Sequence, residues 1–286
     1  MYPIKLEAVC KDIIWGGDQL KKEYNKKADG NIAEAWELSV HPEGICKIEN
    51  GEFAGKLLSE YLGSEENFPV MIKLIDARDR LSIQVHPVKT EMWIIMDCEP
   101  GAKLVYGLKD KFSEEDFRKA LENGTAEELL NYVDVHVGDV FFIPQGLVHA
   151  IGAGILICEI QQNSNVTYRV YDYGRLQNGK PRELHVDQAM GVIKDFTDEQ
   201  IEKERYSLGK DEESTLAHCS LFRVDRYEID GSKDFTVEGE FISIICLDGE
   251  GEINGEKMVK GDSYFISKTC KNFTVCGKAD IVVTRV

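Results

Sequence analysis

The chain has no pair of cysteines at C-x-x-C spacing. That absence excludes a zinc ribbon and a thioredoxin-type redox motif. No apolar run approaches the ~20 residues that a membrane helix needs. The first segment, MYPIKLEAVCKDIIWGG, meets a charge or a turn every few residues. A basic n-region, an apolar h-region and a small-residue cleavage site are missing from it, so the expectation is a cytoplasmic chain with no membrane partner. Basic residues are scarce, 34 Lys and Arg against 51 Asp and Glu, a formal charge of −17. A field of that sign repels phosphate backbones and excludes general nucleic-acid binding. A few local Arg and Lys still permit a small anionic substrate.

What is present is ordinary globular material. The 286 residues are 43% hydrophobic and 9% aromatic, enough to build one large domain or two small ones. Eight cysteines are scattered through apolar segments such as ILICEI and ISIICLD. In a chain too large to need staples they read as reduced, mostly buried thiols. Residues 57–62 (LLSEYL) read as a short helix. From Phe68 onward the apolar runs FPVMIKLIDA, LSIQVHP, MWIIMD and AKLVYGL are short, rich in Ile and Val, and punctuated by Gly, Pro or Asp. That pattern predicts strands of an all-β barrel or sandwich. Residues 113–132 break it with two helical signals: Ser113 before an acidic first turn, with Gly124 as the stop, then Thr125 as the cap of a second helix. Strand patterning resumes with VDVHVGDVFFIP. A polar, partly helical connection over 184–206 follows, and residues 217–286 again read as strands.

A weak repeat runs through these strands. Gly138-Asp139-Val140-Phe141-Phe142-Ile143-Pro144 parallels Gly261-Asp262-Ser263-Tyr264-Phe265-Ile266-Ser267, each downstream of an apolar strand and a Gly-containing turn. Two β modules follow from it, one elaborated and one bare. The expected domains are a unit over 1–206, with the helical insertion around 113–132, and a smaller barrel over 217–286 without a metal site.

The chemistry concentrates in the first unit. Gln84 and His86 are two apart in LSIQVHP, a spacing that puts both side chains on one face of a strand. Glu91 follows across Pro87 at the start of the next strand. His149 stands after a Pro-Gly turn in GDVFFIPQGLVHAIGAG. Two imidazoles, a carboxylate and an amide oxygen suit zinc and other first-row divalent ions. A lone histidine in a strand is more often structural than a ligand. The joint pattern QxHxxxxE (84–91) and GxxxxxPxGxxH (138–149) is what raises this set above that reading. His41, His136, His185 and His218 have no such spacing and read as structural or pocket-wall residues, as do Trp15 and Trp36 as core aromatics.

The pair of patterns resembles the cupin signature, with Gln84 where the first His of the usual His-x-His stands. Together with AEAWELSVHPEG (33–44), FPVMIKLIDARDRLSIQVHPVKTEMWIIMDCEPGAKLVYGL (68–108), GDVFFIPQGLVHAIGAGILICEIQQNSNVTYRVYDYGR (138–175) and RELHVDQA (182–189), it is similar to the short bacterial form of the type I mannose-6-phosphate isomerases. The resemblance implies a mainly β fold of two tandem double-stranded β-helix (cupin) barrels. It implies one zinc ion per chain held by Gln84, His86, Glu91 and His149. It places the catalytic arginine on Arg169 and an acid near metal and substrate on Glu159. Ser82, Lys89 and Lys73 fall on polar positions lining the pocket, and Arg175 on a basic position suited to the phosphate. Only Val88 separates Pro87 from Lys89, where relatives usually have a longer loop, so the lid this loop would form is missing.

Interconverting mannose 6-phosphate and fructose 6-phosphate moves a proton between C1 and C2 of the open sugar through a cis-enediol. It needs a base beside the C–H bond and a positive centre for the developing oxygen charge. Glu159 is the first candidate base and Lys89 the second, with a zinc-bound hydroxide as a third. Two other readings stand beside this one: a non-catalytic sugar-binding or regulatory cupin, and an iron-dependent cupin oxygenase. The partner expected is a small sugar phosphate, and the chain a monomer or weak homodimer.

Overall fold

The computed structural model describes residues 1–64, 67–196, 205–207 and 213–286, with 205–207 and 213 described for their backbone alone. The strands that position the site are, in chain order, β1 (Ile4–Glu7), β2 (Val9–Lys11), β3 (Glu34–Leu38), β4 (Val70–Ala77), β5 (Ile83–Val85), β6 (Glu91–Cys98), β7 (Lys103–Leu108), β8 (Leu130–Asp134), β9 (Asp139–Ile143), β10 (His149–Ala150), β11 (Ile155–Gln162), β12 (Tyr168–Tyr171) and β13 (Arg205–Ser207). Those of the C-terminal region are β14 (Glu213–His218), β15 (Arg223–Thr236), β16 (Phe241–Ile253), β17 (Glu256–Val259), β18 (Ser263–Ser267) and β19 (Asn272–Arg285).

Three large sheets result. A seven-stranded sheet runs β13-β9-β6-β11-β4-β3-β2, and a five-stranded sheet runs β8-β7-β10-β5-β12. Their central strands are buried along nearly all their length, as in β4 and β11, and the polar residues among them, Lys73, Asp76, Glu159 and Gln161, are buried too. The third sheet, β14-β15-β19-β16-β18, also takes in β1 and the short strand Lys47–Ile48, and β17 pairs with β16. The N-terminal strand therefore crosses into the C-terminal sheet. The apolar core follows it: Ile4, Leu38, Val70, Phe222, Phe241 and Phe265 belong to one buried cluster. The fold is the pair of cupin barrels that the resemblance implies, and it is all-β at its core, as the strand patterning predicts.

The helical expectations hold in part. α1 (Gln19–Glu23) and α2 (Leu58–Leu62) precede β4. α3 (Glu114–Asn123) begins at Ser113, whose Oγ accepts the Asp116 N–H at 3.3 Å, and stops at Gly124 with φ +72°. Three acids lie in its first turn, where the unpaired N–H groups favour negative charge. The second helix of the insertion is a single 3-10 turn, Ala126–Leu129, and the Thr125 side chain does not cap it. β8 begins at Leu130, which leaves too few residues for an α-helix. In the expected connection over 184–206, α4 (Val186–Met190) is seen, and residues 197–204 lie outside the described residues. All eight cysteines are free. Among the described residues no helix is long and apolar enough to cross a membrane.

Candidate metal centre and active site

Strand register builds the site. In the five-stranded sheet, His149 of β10 pairs with Gln84 of β5, which pairs with Arg169 of β12. Three adjacent strands thus place two of the expected metal ligands and the expected catalytic arginine in one row. His86 follows β5 two residues beyond Gln84. In the seven-stranded sheet, Trp36, Lys73, Glu159 and Trp93 form a second row across β3, β4, β11 and β6. Two residues along the same faces, Gln161 pairs with Glu91. Residues two apart share a face, so these pairs turn to the same interior.

His86, Glu91 and His149 converge. One ligand atom from each lies within 4.8 Å of the others, and among the described residues this is the group of three or more His, Cys, Asp or Glu with that geometry. All three are at most 1% exposed. Backbone carbonyls fix both imidazoles: His149 Nδ1 lies 2.8 Å from the Leu147 oxygen and His86 Nδ1 3.0 Å from the Val166 oxygen. A carbonyl only accepts, so each Nδ1 carries the proton and each Nε2 presents a lone pair. The two Nε2 atoms face each other at 3.2 Å, and Glu91 oxygens stand 3.6 and 3.5 Å from them. Neither oxygen of Glu91 accepts a directed hydrogen bond, although Lys89 Nζ lies 2.7 Å from one of them. Lone pairs and carboxylate oxygens crowded into a buried point fit a divalent cation. The Gln84 amide is 3.4 Å from His149 Nε2, and a half-turn of its terminal torsion brings Oε1 to that point. Burial holds His149 down to about 4 and His86 well below the usual imidazole range, so both rings are neutral ligands at pH 7.

A local turn aims His149. Gly146 lies in the left-handed region at φ +92°, and a Cβ there would come within 2.8 Å of the Val192 oxygen. Its N–H donates to the His86 carbonyl at 3.1 Å, tying the two ligand segments together.

Next to the triad opens a cavity of about 420 Å³; Gln84, 3.4 Å from His149, and Lys89, 2.7 Å from Glu91, line it, while the buried His86, Glu91 and His149 do not. Five basic residues line it (Lys11, Lys73, Lys89, Arg169, Arg182) against four acids (Asp12, Glu34, Glu43, Glu159). The local balance is 5 − 4 = +1 in a chain of −17, which suits an anionic small molecule. Ser82, Lys73, Lys89, Glu159 and Arg169 all line it. Arg169 Nε donates to Ser82 Oγ at 3.2 Å and its Nη1 to the Glu183 carbonyl at 2.9 Å. Burial, then the charge of Arg182, lowers the guanidinium from its ordinary range. Lys73 sits 3.4 Å from both Glu34 and Glu159. Burial opposes its charge, but the two carboxylates override this and hold the ammonium above its ordinary range. Glu159 also accepts from Trp93 Nε1 at 2.9 Å, and burial, then the nearby Glu91, pushes its carboxyl up. Glu34 accepts from Trp36 Nε1 at 2.7 Å; burial would raise it, but Lys73 and that hydrogen bond hold it low.

One expected residue sits elsewhere. Arg175 bonds Asp172 and the Arg80 carbonyl, with Asp79 at 3.5 Å, and the basic residue on the cavity wall is Arg182 instead. Asp172 explains the exchange, because its other oxygen accepts Arg182 Nε at 2.7 Å. Burial would raise that carboxyl, but the two arginines hold it below its ordinary range. Sequence reasoning also missed Glu34. Its signal was the AEAWEL word, whose period of two puts Glu34 and Trp36 on one strand face.

A β-barrel that buries two histidines and a carboxylate around one point, with an arginine in the same row, defines a metal-binding cupin. Comparison with known proteins then narrows the class. The phosphomannose isomerase type I catalytic domain matches residues 4–102 and the mannose-6-phosphate isomerase cupin domain matches residues 212–286. The chain is 34% identical to mannose-6-phosphate isomerase ManA of Bacillus subtilis over 99% of its own length and 98% of that protein's. It is 31% identical to the mannose-6-phosphate isomerase of Streptococcus mutans, over 99% and 98%. The crystal structure of the Bacillus subtilis mannose 6-phosphate isomerase superposes with a TM-score of 0.89 at 30% identity, covering 100% of both chains. A phosphomannose isomerase mutant from Salmonella typhimurium shares the fold, with a TM-score of 0.80 at 14% identity over 100% and 99%. The chain belongs to the type I mannose-6-phosphate isomerases of the cupin superfamily, in their short bacterial form, and is an isomerase.

Proposed function

We propose that the chain interconverts mannose 6-phosphate and fructose 6-phosphate with one zinc ion held by Gln84, His86, Glu91 and His149. The observation that carries this is the row His149–Gln84–Arg169 facing the row Lys73–Glu159 across a cavity of net positive lining. Bound zinc would supply a Lewis acid beside a sugar oxygen. The protein's own groups do the rest. Glu159, raised by burial and aimed into the cavity, takes the proton from one of C1 and C2 and returns it to the other. Arg169, fixed by Ser82 Oγ and the Glu183 carbonyl, stands as a preformed cation for the oxygen that becomes negative in the enediolate. Lys73 holds Glu159 in place. Lys89, tied to Glu91 and Gln161, is the second candidate base. Arg182, braced by Asp172, takes the substrate's phosphate.

The same reading keeps a catalytic unit over 1–206 and a supporting barrel over 217–286, a cytoplasmic setting, and a monomer or weak homodimer. The two-His-one-carboxylate cluster is of the kind an iron oxygenase uses, but the Gln84 ligand and the arginines suited to a phosphate disfavour that reading, and a measurement of oxygen consumption tests it. The test is a coupled assay for fructose 6-phosphate, before and after chelation and zinc reloading, with metal measured per chain. Activity lost with chelator and restored by zinc supports the proposal. Metal-loaded protein that binds the sugar phosphate and never turns it over makes the chain a non-catalytic cupin.

A further inference from the structure

One polar side chain on the cavity wall takes no part in the chemistry above: His185, in the RELHVDQA segment just before α4. Its neighbour is the backbone of Arg169. β12 is the last strand of its sheet, with β5 on one side only. In an antiparallel strand the N–H and C=O of one residue point to the same side, so at an outer strand every second residue faces outward with both groups. A backbone donor and acceptor left there need partners. His185 provides both. Its own backbone N–H donates to the Arg169 carbonyl at 2.7 Å, and its ring Nδ1 accepts the Arg169 N–H at 3.3 Å. A single residue thus continues the sheet, with an imidazole nitrogen in place of the next strand's carbonyl.

Two further contacts set the ring. It tilts against Tyr168, with centroids 6.1 Å apart, and Nε2 lies 3.9 Å from the exposed Glu183 carboxylate. A nitrogen that accepts from an amide N–H is unprotonated, so the neutral ring carries its proton on Nε2. The side chain of Arg169, meanwhile, is held by Ser82 Oγ and by the Glu183 carbonyl two residues before His185. The backbone and the guanidinium of Arg169 are therefore both anchored to the 183–185 segment.

We propose that His185 is a positioning residue for Arg169: its Nδ1 pins the outer edge of β12, and this fixes the guanidinium at the depth in the cavity where the reaction needs it. It rests on the isomerase reading for its kinetic consequence and on geometry alone for the bond itself. The ring does not touch the reacting carbons. It acts through the arginine, and a small displacement of a preformed cation is costly because the rate depends on its placement.

The test uses His185→Ala, His185→Asn and His185→Gln in the full metal-loaded chain, with metal content, Tm, kcat and KM measured for each. The backbone bond from residue 185 survives in all three, so they isolate the ring. His185→Ala is expected to keep its metal and lose kcat on the order of 10- to 100-fold. His185→Asn, whose Oδ1 reaches the place of Nδ1, recovers most of that loss. His185→Gln, whose amide reaches the place of Nε2, does not. The reverse pattern, rescue by Gln and not by Asn, makes the ring a direct donor to substrate and overturns the proposal. So does a His185→Ala enzyme with kcat within about twofold of the parent. Nitrogen-15 spectra of the labelled ring give an arm that needs no turnover: Nδ1 must appear unprotonated, and the Arg169 amide must exchange faster in His185→Ala. A protonated Nδ1, or unchanged exchange, ends the proposal even in an active enzyme. If wild-type protein fails to isomerise sugar phosphate while these signatures appear, the isomerase reading falls and the His185–Arg169 bond stands.

Discussion

The two barrels reuse one piece of local structure and fill it with opposite chemistry. In the first, Gly138 at φ +91° turns into β9; in the second, Gly261 at φ +90° turns into β18. Each glycine N–H donates across the turn at 2.8 Å, to Ile95 and to Cys246. Each following aspartate closes the turn with its side chain, Asp139 accepting from the His136 N–H and Asp262 from the Val259 N–H, both at 2.9 Å. The strand pairs that follow match in register. Ile143 stands opposite Glu91, and Ile266 stands opposite Ile242. Phe141 stands opposite Trp93, and Tyr264 opposite Ile244. So the position that carries the carboxylate ligand in the first barrel carries isoleucine in the second. The second interior closes over Ile242, Ile244, Phe273 and Val283, all at most 2% exposed. Turn and strand specify the scaffold, and interior positions such as Glu91 and Ile242 decide whether it holds a charge or packs dry.

The largest effect expected from breaking this contrast is Glu91→Ile, which gives the first barrel the residue of the second. Metal bound per chain falls away, and kcat drops on the order of 10³-fold or more. Metal analysis with the coupled assay checks both. Lys89 then loses the carboxylate 2.7 Å away and is left buried, so Tm falls as well. Arg169→Ala separates chemistry from metal. Metal content stays at the parent level while kcat falls by about 10²–10³, the cost of one preorganised donor; unchanged turnover would remove Arg169 from the mechanism.

The converse substitution, Ile242→Glu, puts a charge into the second barrel with no cation or partner there. It is expected to cost roughly 3–5 kcal/mol in urea denaturation, with little change in the intrinsic kcat of the folded fraction. A smaller effect separates the barrels by pH. His149 is held down to about 4 in the folded protein, below its unfolded value. The unfolded chain therefore binds the proton more readily, and the stability associated with a neutral His149 is present above the unfolded pKa and is lost as pH falls toward 4. Metal-free protein should lose about 3 kcal/mol between pH 7 and pH 4 from this group, and added zinc should steepen the loss because protons compete with it for Nε2. Smallest is Ile244→Val in the second barrel, about 1 kcal/mol by the same denaturation, with kcat and metal unchanged.

Strand identity was legible because the runs from Phe68 to Leu108 carry β-branched residues bounded by Gly, Pro and Asp, and a strand's two-residue period exposes its faces. Gln84 and His86 were legible as a pair for the same reason. The insertion's second helix misled because Thr125 and two acids are a good start signal, and only the strand beginning at Leu130 shows that no room follows. Arg175 misled because its spacing from Arg169 says nothing of Asp172, whose carboxylate claims Arg175 on one side and presents Arg182 to the cavity on the other. His185 was set aside because no metal-like residues neighbour it in the chain.

By itself the sequence determined the β architecture and the metal ligands' residue types, since these depend on side-chain chemistry and short-range periodicity. Tertiary structure decided which strands lie side by side, and with them the row His149–Gln84–Arg169, the exchange of Arg175 for Arg182 and the anchoring of Arg169 by His185. Pairing between strands far apart in the chain is set by the burial of whole faces at once, and no local word encodes it.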